Sequence, residues 1–276
     1  MNGERQMKSA LQSRKCVNGF TLKLIALVTM TTDHTAMVLL VGDPPYWPMR
    51  IIGRIAFPIY CFLLVEGYFH THSVRRYTLR LLIAAVVSDI PFDLAVDGFW
   101  PSWYSQNVML TLAIGLVTVW LVDHSRGWVL ALWNRGQTAP LETQEGERPA
   151  LTAGQKVLAG VLIVVFSLAG IWLADFCCTD YSGGGVLLIL LFYFFRNKPV
   201  DLCIAVLVEL AGYFGGIEIW GVVAMVPILL YNGQRGPNPG GKWGQWFFYA
   251  YYPLHLGILY ILYKLLFTNA WVTLPF

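Results

Sequence analysis

Two adjacent ionisable residues in an apolar stretch combine the groups needed for acid–base chemistry. Asp33 and His34 interrupt the first long hydrophobic run, and Arg54 lies within the second. An imidazole accepts and returns a proton near neutral pH, and a neighbouring carboxylate orients the ring. An ionised side chain in hydrocarbon costs at least about 2.5 kcal/mol, so each one retained there requires a partner or a function. We therefore interpret Asp33, His34 and Arg54 as candidate site residues.

Further polar residues lie at a similar predicted depth in the next two hydrophobic stretches. Asp89 is a second candidate to orient His34, and Asp93, Gln106 and Asn107 are candidate substrate contacts. Polar side chains at one depth of adjacent helices can share a single water-accessible cavity. A structural ion pair between Arg54 and Asp89 or Asp93 is the alternative interpretation.

Other acidic residues and a second histidine lie in apolar stretches but do not belong to the group around Asp33 and His34. His255 follows Pro253 in the last apolar stretch, where proline loosens the backbone beside a titratable ring. Glu66 lies in the opposite half of the bilayer, where it marks a passage inward or an interfacial anchor. We include His255 and Glu66 among the candidate substrate-binding residues. Glu209 and Glu218 flank glycines near a predicted surface and are interpreted as solvated carboxylates.

The elements that must position these residues are membrane helices. The chain of 276 residues is 57% hydrophobic and 13% charged, with a mean hydropathy of +0.57. This composition excludes a soluble surface and predicts a lipid bilayer as the environment. The basic residues lack the aromatic interleaving of a nucleic-acid interface, and the five cysteines lack the spacing of metal ligands. We predict an all-α, polytopic helix bundle that forms a single domain over residues 1–276.

Hydrophobic stretches near the length of a membrane span predict about nine transmembrane helices. In chain order they are Phe20 to Val41, Ile51 to Tyr68, Leu79 to Val96, Tyr104 to Val122, Val157 to Ala174, Gly184 to Phe195, Val200 to Phe214, Ile217 to Leu230 and Trp246 to Phe267. The sixth, seventh and eighth of these stretches are short and bounded by glycines.

The distribution of lysine and arginine predicts the orientation, because cytoplasmic loops retain positive charge. With nine spans, all basic residues except Arg50, Arg54 and Lys264 fall on one side, which gives an N-in, C-out topology. The polar, proline-containing segment 124–156 then forms a cytoplasmic linker. The Asp33–His34 pair lies toward the non-cytoplasmic face.

Six short segments carry a resemblance to a known family. They are Thr32-Asp33-His34, the GRIAFPI sequence at 53–59, FLLVEG at 62–67, SDIPFD at 88–93, QNV at 106–108 and PLHL at 253–256. In order and spacing these segments resemble the TraX family. That family's named member is an inner-membrane protein that N-acetylates the amino terminus of conjugative pilin, and the family is grouped with membrane acyltransferases that use acetyl-CoA.

The resemblance implies an acyltransferase of the bacterial inner membrane, with acetyl-CoA as donor. The acceptor would be an amine or hydroxyl, on a pilin amino terminus or a cell-envelope polysaccharide. In related acyltransferases a histidine and an arginine in early helices serve the reaction, which maps to His34 and Arg54. His34, oriented by Asp33 or Asp89, would act as a base or carry the acetyl group, and Arg54 would stabilise the oxyanion.

Two other classes of protein are consistent with the same residues. In a proton-coupled transporter or flippase, the intramembrane Asp, His and Glu residues would form a relay across the membrane. In an assembly or scaffold protein, the buried ion pairs would only fix helix packing. Replacement of His34 by alanine would leave the function of a scaffold intact.

Overall fold

The computed structural model describes residues 15–134, 151–237 and 241–267, and within these ranges the regular structure is helical. In chain order the elements are α1 (Gly19–Leu39), α2 (Tyr46–Gly53), α3 (Ala56–His70), α4 (Val74–Val96), α5 (Val108–Asn134), α6 (Ala153–Phe176), α7 (Ser182–Phe194), α8 (Pro199–Glu209), a π-helical turn (Leu210–Phe214), a 3₁₀ segment (Gly216–Ala224), α9 (Met225–Leu229) and α10 (Lys242–Phe267). The prediction of an all-α fold is confirmed.

Five stretches of helix in the described ranges are long and apolar enough to cross a membrane. They are Gly19–Leu39, Tyr46–His70, Val108–Leu132, Ala153–Phe176 and Trp246–Phe267. Two shorter apolar helices cover Ser182–Phe194 and Gly216–Leu229. The chain is therefore a membrane protein, and the count of nine spans stays a prediction.

The fourth helix shows why composition and length give different counts. Helix α4 has 23 residues, which makes it about 35 Å long and sufficient to cross a bilayer. Three arginines near its start and two aspartates near its end lower its hydropathy. Pro91 lies inside α4, and the helix continues through it to Val96.

The predicted linker at 124–156 is shorter in the structure. Helix α5 continues to Asn134, and α6 begins at Ala153 behind a capping box formed by Thr152 and Gln155. Residues 135–150, the rest of the predicted linker, lie outside the described residues. The apolar candidate span in α5 runs from Val108 to Leu132, ten residues beyond the predicted end at Val122.

Two groups of buried apolar side chains form the core. The larger group connects α1, α3, α5, α7 and α8. The smaller group contains Met30, Phe92, Tyr252 and Leu256 and joins α1, α4 and α10. Helix α1 contributes to both groups, and Asp33 and His34 lie on it between Met30 and Val38 of the smaller group.

The loops gather at two ends of the bundle. At one end, which we call the basic end, Val17 pairs with the backbone around Tyr231, and Arg235 donates to the carbonyl of His70 over 2.9 Å. At the other, which we call the site end, the amide of Gln106 donates to the carbonyl of Cys178 over 2.8 Å. Each end thus ties together loops that are distant in sequence.

Candidate functional site

A cavity of about 120 Å³ opens at the site end between α1, α2, α3, α4 and α10. A volume of this size holds several water molecules or a small polar ligand. The charged and titratable side chains that line it are Asp33, His34, Arg50, Arg54, Asp180 and tyrosines 60, 181 and 252. Its apolar wall includes Met30, Met37, Phe92, Val96 and Val108.

A chain of ion pairs forms one wall of the cavity. Asp33 Oδ2 accepts from Arg50 Nη1 over 2.7 Å and also from Arg54 Nη2. Arg54 Nη1 donates to Glu218 Oε1 over 2.5 Å. Two guanidinium groups and two carboxylates therefore balance in charge, which is the condition for burying them. Asp33 Oδ1 is buried and makes no hydrogen bond with the described residues, so it can accept one from a ligand or water.

The ion-pair chain differs from the alternative suggested by the sequence. Arg54 pairs with Asp33 and Glu218, whereas the sequence suggested Asp89 or Asp93. The interpretation of Glu218 as a solvated loop carboxylate was wrong, because its carboxylate holds the buried Arg54. Arg54 is only 6% exposed. The 3₁₀ segment packs against α3, and this contact brings Glu218 to Arg54.

The close approach of α1 and α2 depends on Gly53. A Cβ atom at this position would overlap the side chain of Asp33. Gly53 ends α2, one residue before Arg54, so the absence of a side chain allows Asp33 to reach both arginines. The local sequence thus sets the geometry of the ion pairs.

The two intramembrane histidines form a hydrogen-bonded pair. His34 Nδ1 lies 2.7 Å from His255 Nε2, and His255 Nδ1 lies 2.8 Å from the carbonyl oxygen of Tyr251. A carbonyl only accepts, so His255 Nδ1 carries the proton and, in the neutral ring, its Nε2 is an acceptor. It follows that His34 Nδ1 donates to His255.

This arrangement leaves Nε2 of His34 with its lone pair. The atom makes no hydrogen bond with the described residues, and the His34 ring lines the cavity. The rings of His34 and His255 stack with centroids 4.9 Å apart, and Tyr251 stacks on the far face of the pair at 5.1 Å from His255. The structure thus leaves His34 Nε2 as a hydrogen-bond acceptor at the cavity, on a ring that is held by bonding and stacking with His255.

The partner of His34 is a finding that the sequence did not provide. Asp33 or Asp89 was expected to orient the ring, but Asp33 bonds to the two arginines and Asp89 does not line the cavity. Adjacent residues on a helix point about 100° apart, which separates the side chains of Asp33 and His34. His255 was expected to contact substrate, but it does not line the cavity and instead bonds to His34.

Asp180 is a site residue that sequence analysis missed. It lies in the loop between α6 and α7, where its amide donates to the carbonyl of Gln106 over 2.6 Å and its carbonyl accepts from Thr111. Desolvation raises the pKa of its carboxyl to about 6, and the nearby Arg54 opposes that rise. Asp180 therefore titrates within the physiological range beside the ion pairs. Nothing in the sequence around it indicates this role.

Four residues expected at the site lie outside the cavity. The carboxylate of Asp93 accepts from the amide of Ser102 over 2.7 Å, and the side chain of Asn107 donates to a carbonyl of α4 over 2.9 Å. The side chain of Gln106 bonds to carbonyls of its own loop, and Asp89 is half-buried on α4. Asp93, Gln106 and Asn107 hold the loop that connects α4 to α5.

Glu66 lies near the basic end and forms a separate ion pair. Its Oε1 accepts from Arg196 Nε over 2.9 Å, and the Arg196 guanidinium stacks over the ring of Phe69 at 4.1 Å. These contacts hold α3 against the loop that follows α7. Glu66 does not line the cavity.

The missed residue Arg50 did leave a signal in the sequence. Arg50 and Arg54 are two of the three exceptions to the charge bias that predicts the orientation. In the structure Asp33 and Glu218 compensate the charges of these two arginines.

Fold and site together define a helical membrane protein with a polar cavity, lined by one histidine of a bonded pair and bordered by an arginine–carboxylate chain. The sequence profile of the family described as "TraX protein" matches residues 18–263. The chain belongs to the TraX family.

Two curated relatives match parts of the chain. A probable fimbrial assembly protein, FimC of serogroup H1, from Dichelobacter nodosus is 36% identical over 111 residues, which cover 37% of this chain and 45% of the relative. An uncharacterized protein from Rickettsia prowazekii (strain Madrid E) is 27% identical over 104 residues, which cover 38% of this chain and 37% of the relative. The chain thus spans less than half the length of each. No solved structure matches the chain significantly.

Proposed function

We propose that this protein is a membrane-embedded acyltransferase that moves an acetyl group from acetyl-CoA to an amine or hydroxyl acceptor. The observation that carries the proposal is the free Nε2 of His34 at a cavity whose other wall bears two arginines. A base and a cationic group facing one small cavity suit a reaction that removes a proton and develops negative charge on oxygen. Membership of the TraX family supports the same reaction class.

The reaction assigns a separate role to each wall of the cavity. His34 Nε2 takes the proton of the neutral amine or hydroxyl as it attacks the thioester carbonyl, and Arg50 and Arg54 stabilise the resulting oxyanion. When the intermediate collapses, the carbon–sulfur bond breaks and His34 returns the proton to the thiolate of CoA. Throughout the reaction, His255 Nε2 accepts the hydrogen bond from His34 Nδ1. In a two-step variant, His34 Nε2 displaces the CoA thiolate from the acetyl carbonyl, and the acceptor then displaces His34 Nε2 while its proton passes to the thiolate.

Acetyl-CoA enters this reaction as the donor substrate. The cavity of about 120 Å³ accommodates the acetyl group and the acceptor atom, so the nucleotide of CoA would lie outside it. Asp33 Oδ1 and the carboxyl of Asp180 offer acceptors to the incoming N–H or O–H group. Both features favour a site that receives only the reacting ends of its two substrates.

The topology proposed with this function is N-in, C-out, with about nine spans in the bacterial inner membrane. Described arginines and lysines near the basic end, such as Arg75, Arg196 and Arg235, support a cytoplasmic location for that end. The cavity then faces outward, and the donor reaches it through the bundle from the cytoplasm.

The proposed acceptor is a pilin amino terminus or an envelope polysaccharide. The name of the Dichelobacter relative, a probable fimbrial assembly protein, supports a substrate from a surface fibre. An outward-facing cavity suits both acceptors, because each is delivered to that side of the membrane.

The test measures consumption of labelled acetyl-CoA by purified protein in lipid nanodiscs, with and without a pilin peptide. We expect His34→Ala to lower turnover by at least about 100-fold, since a positioned base contributes about that much or more. Arg54→Ala should also lower turnover, because it removes a cationic group that stabilises the oxyanion. His124→Ala is the matched control, because His124 is an exposed histidine on α5 that lies outside the cavity. Turnover that persists in a folded His34→Ala protein would reject the proposal.

A further inference from the structure

A buried acidic residue in α8 is not used by the proposed reaction. Helix α8 buries one face, formed by Leu202, Val206 and Glu209. These positions follow the spacing of i, i+4 and i+7, which defines the inward face of a helix. Glu209 therefore occupies a place where packing calls for an aliphatic side chain.

The carboxyl group of Glu209 has no hydrogen-bond partner among the described residues. Glu209 is 5% exposed, and both of its oxygens are fully buried and unpaired. A carboxylate in this setting would lack both solvation and a counter-charge. The protonated, neutral acid avoids the free-energy cost of burying an uncompensated charge.

The groups that surround Glu209 do not compensate a negative charge. Glu218 on the 3₁₀ segment is the charged neighbour, and it has the same sign. Cys61 on α3 is the titratable neighbour on that side, and Tyr193, the titratable residue of α7, bonds to Asp123. The π-helical turn adds Tyr213, and α8 itself adds Asp201 and Cys203. Arg54, the cation bonded to Glu218, is already paired with both Glu218 and Asp33.

We propose that Glu209 is a proton-binding site inside the protein, occupied at neutral pH, and that its proton keeps the 3₁₀ segment packed with Glu218 against Arg54. The connection runs along the backbone. Glu209 ends α8 where a π-helical turn begins, and Gly215 and Gly216, where the 3₁₀ segment starts, adopt positive φ angles of 66° and 54°. Segments of π-helix often occur at functional positions, and here one joins the buried acid to the element that carries Glu218.

Loss of the proton would place a second negative charge near Glu218. Repulsion between the two carboxylates, together with hydration of Glu209, would loosen the 3₁₀ segment and weaken the Glu218–Arg54 pair. The cavity wall would thereby respond to the protonation of a residue outside the cavity. This inference does not depend on the acyltransferase proposal.

The first test is the infrared difference spectrum between the wild type and Glu209→Gln near pH 7. We expect the variant to lose the carbonyl band of one protonated carboxylic acid. Loss of a carboxylate band instead would overturn the proposal and place a bound cation or another partner at Glu209.

If the variant does not accumulate, wild-type protein is treated with the apolar reagent dicyclohexylcarbodiimide, which adds to protonated acids, and peptides are analysed by mass spectrometry. An adduct on Glu209 supports the proposal, and its absence when other buried acids react rejects it.

The second test follows thermal unfolding in detergent from about pH 7 to about pH 9.5. The fold favours the protonated acid, so stability falls as rising pH removes the proton. We expect the wild type to lose melting temperature over this range more than Glu209→Gln, which cannot ionise. Glu66→Gln is the control, since it removes a paired carboxylate and should keep the wild-type pH dependence. Equal slopes for the wild type and Glu209→Gln would overturn the link to stability. Neither test requires acetyl-CoA.

Discussion

A histidine serves as a directed base when its second ring nitrogen has a fixed partner. In this protein the partner of His34 is another imidazole, whose own second nitrogen donates to the carbonyl of Tyr251. The chain of donors ends at a backbone atom, which has a single role in hydrogen bonding. That fixed end determines the tautomer of both rings.

Replacement of His255 should therefore affect the rate of the proposed reaction. We expect His255→Ala to lower the turnover of acetyl-CoA by about 10-fold to 100-fold, with little change in KM. The reason is that Nε2 of His34 can still accept a proton, but the imidazole ring is no longer held in position. His255→Gln should recover part of the rate, since its amide oxygen can accept from His34 Nδ1. Steady-state kinetics at several pH values give both parameters. Wild-type turnover in His255→Ala would show that the pair has only a packing role.

Asp180 provides a pH-dependent contribution to stability at the residue scale. Its pKa of about 6 in the folded protein lies above the usual value for an aspartate, so the fold favours the protonated form. The favourable contribution is present at acidic pH and is lost as pH rises through about 6. Asp180→Asn does not ionise, so the melting temperature of the variant minus that of the wild type should increase between about pH 5 and pH 8. A constant difference across this range would contradict the assignment.

At the scale of elements, the break between α2 and α3 brings the two arginines to one carboxylate. The sequence predicts a single span from Ile51 to Tyr68, and the structure shows helix from Tyr46 with a turn at residues 54–55. Arg50 and Arg54 stand one turn apart on either side of Gly53. The contact between α1 and α2 is therefore part of the site as well as of the fold.

Gly53→Ala tests this contact. The added methyl group would overlap Asp33, so we expect a loss of about 1–3 kcal/mol in the free energy of unfolding together with lower activity. Gly160→Ala is the matched control, because a Cβ atom on that glycine of α6 meets no atom within 4 Å. Thermal unfolding of purified protein measures both variants. If they prove equally stable, α1 and α2 do not require this close approach.

At the scale of the whole molecule, the two ends of the bundle differ in charge and in chemistry. Cys16 lies beside the basic end and Cys178 lies at the site end, and both thiols are exposed. Native cysteines on opposite ends provide a direct readout of the proposed orientation.

We expect a membrane-impermeant maleimide to label Cys178 on intact spheroplasts and to label Cys16 only after the membrane is opened. The reason is that the excess of basic residues retains the Cys16 end in the cytoplasm. Variants with Cys16→Ser or Cys178→Ser, each in a background with Cys177→Ser, assign the label by mass spectrometry. The reverse order of labelling would invert the topology and bring the cavity to the cytoplasmic side.

The sequence by itself determined the all-helical class, the lipid environment and the identity of the main ionisable residues, because each of these follows from the cost of polar groups in hydrocarbon. Asp33, His34 and Arg54 were found by this criterion, and the structure places all three around one cavity. Their chemical roles are proposals.

Only the tertiary structure decided which side chains meet. Depth along a span is readable from sequence, but the direction in which a side chain points depends on how helices rotate against one another. For this reason His34 bonds to His255, 221 positions away, while the adjacent Asp33 points to Arg50. The same rotation turns Asp93 away from the cavity toward its own loop and brings Glu218 to Arg54.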